Sequence, residues 1–482
     1  MSESLVELEP AVQQEVLSLG HSVLHANGIE DGRPVITGNY VSPNHKLPLP
    51  YPDGDWYLRQ TFVPAVHEGE TVICHSLLPG LLDHYTKIGL IPEGAQVIQV
   101  EPRTDGSSYG FPGTDPLEIL KGDLRMSHRD AKAYLCSTFI CDQVSQQALE
   151  MGLDTFPRPD STLTNNKASL RQASERYNLS MLPGTVLQNW EDIEAAVSAE
   201  WNTTHGAWLK FPTGSGGDLV IRLSDKVKHE DITQAVERLR ATVGKAFAEA
   251  DFGTTIDEFW PEGALAPAGF PLVLEADARI RGEVVANGST QFIAKKTGEL
   301  VILGHFTQMT TAEGEYLGNE PYEDIDAFTQ LHAERLAARV ADYNLDENEY
   351  AGIEAIDWFI TEDHAGEQDI SLVELNSRPT ANTPPLIIAN KLGAKHFINT
   401  NVYTDTPVRS VDDYIEIVGE ELAFGDPNNG GQIVPQSFRT LVRREGLVAS
   451  PNFKIVILGD TAKHCREIMQ TLSERGVRFA PE

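Results

Sequence analysis

The sequence predicts a mixed α/β (α+β) fold, and three observations carry that prediction. "ETVICHSLLPG" and "AQVIQVEP" are short apolar runs of the kind that form buried strands. Residues 230–247 place Ile232, Val236, Leu239, Val243 and Phe247 at steps of three and four, which is one face of a helix. "AIDWFIT" and "ISLVEL" are strand-like runs joined by the polar loop "EDHAGEQD", a hairpin pattern.

Residues 1 to about 50 carry no clear period, and "SPNHKLPLPYPDGDW" is rich in turn residues and expected to be irregular. The two strands just quoted follow, and then a helical pattern from Ser127 to Met151. The first third is therefore expected to be an α/β domain, though it lacks the GxGxxG that would support a dinucleotide fold. "NNKASLRQASERYNL" (165–179) predicts a helix capped at Asn165 or Asn166. "AWLKFPTGSGGDLVIRL" (207–223) predicts strand, glycine loop, strand, and the 230–247 helix comes next. "FPLVLEADARI" opens with a strand, "IDAFTQLHAERLAARVADYNL" is a helix, and the hairpin follows. The final "FKIVILGDTAKHCREIMQTLSERG" predicts a strand and a helix capped at Asp460 or Thr461. There is no internal repeat or low-complexity segment. Boundaries near 160 and 400 divide the chain into 1–160, 161–400 and a small C-terminal α/β extension, 401–482.

At 482 residues the chain is expected to hold two to four domains. Its formal net charge of −33 leaves no basic excess to neutralise phosphates, which argues against nucleic acid and against an anionic membrane surface. The charge points to solubility, or to a salt-adapted source. Cys74, Cys136, Cys141 and Cys465 form no CxxC pair, and the Cys136–Cys141 spacing is poor for zinc. They are expected to be ordinary thiols in a reducing compartment. "MSESLVELEP" has no apolar core of a signal peptide, and no run approaches the roughly 20 apolar residues of a membrane span. A soluble, cytoplasmic protein is the expectation.

The hairpin carries the chemistry. Pairing Thr361 with Ile370 sets Phe359 opposite Leu372 and Asp357 opposite Glu374. Opposed residues share a face, with Cβ atoms about 4.5–5.5 Å apart. Asn376 follows on the same face, about 6.6 Å beyond Glu374. This register groups Trp358, Ile360 and Val373 on one face, and Phe359 and Leu372 on the other. Two carboxylates so close would repel unless one took up a proton. A divalent cation removes the conflict, and oxygen ligands from Asp357, Glu374 and Asn376 suit Mg²⁺ or Mn²⁺ rather than zinc. A shared carboxylate can bridge two ions about 3.5–4 Å apart. Arg378, one step further, suits a phosphate or a carboxylate. An exposed hairpin end with solvated acids is the competing reading, weakened by apolar residues on both faces. The stretch closes with "TANTPP", which either lines a substrate pocket or only turns the chain.

"KFPTGSGGD" is not a Walker A loop, because Lys210 precedes the glycines and a strand follows. Gly214, Ser215, Gly216 and Gly217 form a loop, 213–218, whose glycines let backbone N–H groups converge on an anion. A flexible hairpin turn is the alternative. Lys167 at a helix start, Glu275 at the end of "PLVLE", and Glu283 eight residues on would each be ordinary surface groups if taken alone.

Taken in order, these pieces resemble the ATP-grasp superfamily. The order is Lys167, Lys210 before its glycine loop, Glu275, Glu283, then Asp357 and "ELNSRP". The closing pattern, an acid on one strand followed by Glu-x-Asn-x-Arg-Pro, is the specific part of the match, which covers roughly residues 160–400. The resemblance implies an ATP-grasp fold behind an N-terminal pre-ATP-grasp domain, with residues of about 185–275 as a lid. It implies that Lys167 and Lys210 contact ATP phosphates, Lys210 also lying near the adenine. Glu275 would lie in the adenine hinge, Glu283 would hold the ribose, and Asp357, Glu374 and Asn376 would hold two Mg²⁺. Arg378 would stabilise an acyl phosphate and a tetrahedral intermediate. Many D-alanine ligase relatives carry an arginine two residues before the first metal acid; here that position is Ala355, so Arg279 or Arg281 is the candidate for the substrate carboxylate. The layout, with segment 304–320, looks most like the pheganomycin-type peptide ligases. The implied activity is ATP-dependent joining of a small-molecule carboxylate to an amine, with no nucleic acid or membrane partner, in a possible homodimer. Alternatives are another ATP-grasp reaction type (carboxylase, thiol ligase or phosphotransferase) and a non-catalytic ATP-binding module.

Overall fold

The structure, a computed structural model, describes residues 18–37, 60–75, 77–100, 133–137, 154–156, 165–202, 205–212, 219–249, 255–310, 316–405, 407–443 and 446–479. The expected irregular stretch 42–56, the glycine loop 213–218 and Cys141 lie outside them.

The N-terminal region contains α1 (Leu19–Ala26), β1 (Arg33–Thr37), β2 (Thr71–His75), α2 (Leu81–Lys87), β3 (Gln96–Val100), β4 (Ala133–Ser137) and β5 (Asp154–Phe156). The five strands form one parallel sheet in the order β3-β2-β1-β4-β5. β4 corrects one expectation, because it falls inside the helical pattern drawn from Ser127 to Met151. Five residues of "AYLCS" carry no decisive period, and pairing on both edges, to β1 and β5, settles them as a strand. The rest of that expected helix is outside the described residues.

Next come α3 (Lys167–Ala173), β6 (Gly184–Leu187), α4 (Glu191–Val197), β7 (Ala207–Lys210), β8 (Val220–Arg222), α5 (His229–Glu249), the single turn α6 (Ile256–Phe259) and β9 (Leu272–Ala276). Their strands form a separate antiparallel sheet, β6-β9-β7-β8. The stripe expected on α5 is real: Ile232, Val236, Leu239 and Val243 are buried with Leu209, Trp260 and Leu272 in the core of this lobe.

The remaining chain builds β10 (Glu283–Ala294), β11 (Leu300–Thr310), β12 (Tyr316–Pro321), α7 (Ala327–Asn348), β13 (Gly352–Glu362), β14 (Gln368–Asn376), α8 (Thr383–Lys391), β15 (His396–Tyr403), α9 (Val411–Val418), α10 (Glu420–Ala423), β16 (Gln432–Arg443), β17 (Gly446–Gly459) and α11 (Ala462–Glu474). One antiparallel sheet takes every strand, in the order β14-β13-β10-β11-β12-β15-β17-β16. α7 covers Trp358, Ile360 and Leu372 on one end of it. The boundary expected near 400 falls within β15. Residues beyond it supply β16 and β17 to the same sheet, so they are not a separate layer. Their buried Val434, Val456 and Leu458 share a core with Val72, Leu81 and Tyr85 of the N-terminal region. The Tyr85 hydroxyl donates to Pro435 O at 2.7 Å, and Lys391 on α8 donates to Val66 O at 2.5 Å. α11 is capped by Thr461, one of the two expected residues.

Candidate active site

The two acids of the hairpin meet as the sequence predicts: Asp357 pairs with Glu374, Ile356 with Leu375 and Ala355 with Asn376. The outer half does not follow that register. Trp358 pairs with Leu372, Phe359 with Ser371, Ile360 with Ile370 and Thr361 with Asp369, because Val373 is an extra residue that bulges β14. The expected pairs Thr361–Ile370 and Phe359–Leu372 are therefore each one residue out. The reason is parity. Leu372 must join Trp358 in the core and Glu374 must face Asp357, and strict alternation cannot satisfy both; one extra residue reconciles them. The face assignment changes accordingly. Leu372 is buried with Trp358 and Ile360, while Val373 lines a cavity with Phe359.

The hairpin is completed by α3. Asn166 caps that helix, accepting from Ala168 N at 2.9 Å and Ser169 N at 3.2 Å, and so fixes Lys167 at its first turn. Lys167 Nζ reaches Glu374 Oε1 at 2.7 Å. Asn165 Oδ1 accepts from Ser377 N at 2.8 Å, tying the start of α3 to the residue between Asn376 and Arg378. Asn376 Nδ2 donates to Asp357 Oδ2 at 3.3 Å. Burial, and then the charge of Glu374, push the Asp357 carboxyl up to about 6, against the pull of Ser289, Arg378 and Asn376. Burial would raise Glu374 too, but Lys167, with Arg378 and Lys210, outweighs it and holds Glu374 below the usual carboxylate range.

These residues fit a divalent cation. Asp357 sits where one more positive charge is wanted, and Lys167 supplies the charge that Glu374 needs. Among the described residues no three His, Cys, Asp or Glu side chains converge. Two carboxylates and an amide would need further oxygen ligands, such as phosphate oxygens, to complete the six-coordinate shell of Mg²⁺.

Beside them lies a cavity of about 600 Å³ between the two antiparallel sheets. Leu182, Trp208, Ala278, Val284, Phe359 and Val373 form its apolar walls, and Lys210, Glu275, Asp277, Arg279 and Glu283 supply its polar groups. This size and mixture suit a ligand with a flat apolar part and a charged tail. Lys210 on β7 and Arg171 on α3 both bind Glu275 on β9, which is almost wholly buried. Glu283 stands exposed at the mouth. Arg279 grips Asp277 at 2.8 and 3.0 Å and holds that carboxylate below its usual range despite burial. Arg281 is turned elsewhere: it bonds Asp369, Ser371 Oγ at 3.0 Å and Met181 O at 2.8 Å, and does not line the cavity. The structure thus gathers Lys167, Asp357, Glu374 and Asn376 at one place and Lys210, Glu275, Arg279 and Glu283 around the adjoining cavity.

Three residues of this site were missed in the sequence. Arg171 lies four residues after Lys167, on the same helix face, a spacing that was visible. Ser289 lies opposite Asp357 only because β10 pairs with β13, which no local pattern announces. Gln291, opposite Ala355, donates to Thr380 Oγ1 at 2.6 Å and accepts from Thr383 Oγ1 at 2.8 Å. It organises "TANTPP", whose two prolines lie in the first turn of α8.

Solved structures match the fold along most of the chain. The biotin carboxylase–β,γ-ATP complex of Campylobacter jejuni is 12% identical, with a TM-score of 0.53, over 92% of this chain and 91% of that one. The biotin carboxylase domain of 2-oxoglutarate carboxylase from Hydrogenobacter thermophilus, a dimer with MgADP, ADP and bicarbonate, is 12% identical, with a TM-score of 0.51, over 92% and 90%. N5-carboxyaminoimidazole synthase of Aspergillus clavatus, with ADP and 5-aminoimidazole ribonucleotide, is 12% identical, with a TM-score of 0.50, over 92% and 98%. The chain has the ATP-grasp fold. No protein-family model matches it, and no curated protein sequence does. Within this fold the cavity is bounded by β7 and β9 of the smaller sheet and by β10, β13 and β14 of the larger.

Proposed function

We propose that the chain is an ATP-dependent carboxylate–amine ligase that forms an amide bond through an acyl phosphate, on amino acids or small peptides. The observation that carries the reading is the opposition of Asp357 and Glu374, with Lys167 on Glu374, beside a nucleotide-sized cavity that contains Lys210. The neighbouring folds support ATP as the nucleotide, since three of them were solved with ATP, ADP or an analogue.

Each residue then has a role. The cavity takes the nucleoside, with Glu275 in the hinge and Glu283 at the ribose. Lys210 and Lys167 take phosphate oxygens; Lys167 leaves Glu374 to do so. Mg²⁺, held by Asp357, Glu374 and Asn376, would offset the charge of the phosphates. A substrate carboxylate oxygen attacks the γ-phosphorus, the bond to the bridging oxygen breaks, and ADP leaves. An amine nitrogen then attacks the acyl carbon, phosphate leaves with the bonding pair, and the amine loses a proton. Arg378 stabilises both the acyl phosphate and the intermediate. The lobe of 185–275 and its loop with Gly214, Ser215, Gly216 and Gly217 exclude water from the acyl phosphate. Arg279 stays a candidate for a substrate carboxylate; Arg281, held by β14, is the weaker one.

Within this class a pheganomycin-type peptide ligase is favoured, on the long N-terminal region and segment 304–320, which contributes to β11 and β12. A cytoplasmic homodimer is the expected state. Incubation with ATP, Mg²⁺ and a panel of amino acids should release ADP and phosphate only when acid and amine are both present. AMP and pyrophosphate would indicate an adenylating ligase, bicarbonate-dependent ADP without an amine a carboxylase, and no turnover with any amine a binding module.

A further inference from the structure

β16 carries a bulge of its own. Pro435 pairs with Ile455 and Ser437 with Lys454, so Gln436 is an extra residue and both Gln436 and Ser437 stand opposite Lys454. All three are deeply buried: Gln436 and Ser437 have no exposed surface and Lys454 only 5%. Neither polar atom of the Gln436 amide has a partner, nor does the Ser437 hydroxyl. Lys454 makes no hydrogen bond or ion pair with the described residues, and burial, unopposed by any acid, pushes its ammonium down to about 8. The next residues of these strands, Phe438 and Phe453, point the other way and stack in the core with Tyr414.

The unmet groups continue toward the reaction centre. Asn399 lies on β15, two residues before the partner of Lys454 and on the same face. Its Nδ2 donates to Ala381 O at 2.9 Å, three residues past Arg378, while its Oδ1 has no partner. Asn382 Oδ1, at the start of α8, also has none. Buried polar groups are nearly always paired, and a buried charge even more so. Five unmet residues, two on one bulge, one directly across from it and two beside the Arg378 loop, describe a site built for a ligand. One lysine with no arginine suits a carboxylate better than a phosphate dianion. Amide oxygens on the side of Arg378 suit a nitrogen that donates.

We propose that Lys454, Gln436 and Ser437 hold the carboxylate of an amino-acid amine substrate, while Asn399 and Asn382 accept from its amino nitrogen. This rests on the ligase reading for the word substrate, but not for the binding.

Thermal melts and equilibrium dialysis of the full chain test it, using a pool of the common amino acids, the same pool as C-terminal amides, and inorganic phosphate at matched ionic strength. The amino-acid pool should bind saturably and raise the melting temperature, and the amides should not. Lys454→Met should weaken that binding by about tenfold or more, the loss of one charge-assisted bond, and Lys454→Arg should weaken it less. Without ligand, Lys454→Met should melt at or above the wild type, because an unpaired buried charge has gone. A melt far below the wild type would mean that the ammonium has a partner in the protein, and the proposal fails. Equal binding of amides, or saturable binding of phosphate alone, overturns the carboxylate assignment. Gln436→Leu is the second test: unchanged amino-acid affinity in that variant overturns the site. Binding that depends on Lys454 without ATP turnover would remove the ligase reading and leave the site standing.

Discussion

Glu374 is the residue on which the proposed chemistry turns. It opposes Asp357, holds Lys167 and lies within reach of the charges of Arg378 and Lys210. Glu374→Gln keeps the shape, so the melting curve should remain close to the wild type while nearly all ADP formation is lost. Wild-type turnover in that variant would remove the metal assignment. His84 offers a test away from the site. It is 2% exposed, packed edge-on to Tyr414 and Phe424, and neither ring nitrogen has a partner. Burial, and then the charge of Lys87, push it down to about 4 from an ordinary value of 6.5. The unfolded chain therefore binds more protons between these values. The stability from neutral His84 is full above pH 6.5 and is lost as pH falls toward 4, on the order of 3 kcal/mol. In His84→Phe the melting temperature should fall less steeply across that window; an unchanged slope would contradict the assignment.

Among elements, β14 shows how one residue coordinates two demands. The bulge at Val373 lets Leu372 enter the core while Glu374 meets Asp357. Deleting Val373 forces a choice between them, so the protein should lose several kcal/mol of stability, or ADP formation, or both. Val373→Ala preserves the register and should cost only about 1 kcal/mol or less, because the side chain is only half-buried on the cavity wall. Urea melts of the two variants, with ADP assays, separate the effect of the bulge from that of the side chain. Equal results for both would show that the extra residue is dispensable.

For the whole molecule, the continuous eight-stranded sheet makes the last 80 residues part of the fold. β17 pairs along all of β15, and its buried Ile455, Val456 and Ile457 share the core of the N-terminal region. A chain ended at residue 403 should therefore fail to give a cooperative thermal transition. A cooperative melt would show instead that the extension is an appendage. Among the described residues no helix is long and apolar enough to cross a membrane. Cys74, Cys136 and Cys465 are buried free thiols, all pushed up by burial, as inert core residues should be.

Local sequence was sufficient wherever local periodicity was decisive. The stripe of α5, the cap at Asn166 and the cap at Thr461 all depend on backbone geometry within a few turns, whereas the predicted opposition of Asp357 to Glu374 holds only because the bulge at Val373 offsets an outer register that is one residue out. It failed for β4, whose five residues are too short to show a period, and for the outer hairpin register, since alternation has no way to mark an inserted residue. The order of lysines and acids along the chain suggested the fold by resemblance, but which of them touch was not readable. Lys210 meets Glu275 across 65 residues, Arg171 meets Glu275 across 104, and Lys167 meets Glu374 across 207. The pairing of β10 with β13 that brings Ser289 to Asp357, the turn of Arg281 toward β14, and the unmet polar groups around Lys454 belong to the same class. Periodicity along a chain determines which face a side chain occupies. Only the packing of sheets on one another decides what stands opposite that face, because that is set by burial and charge summed over the whole molecule.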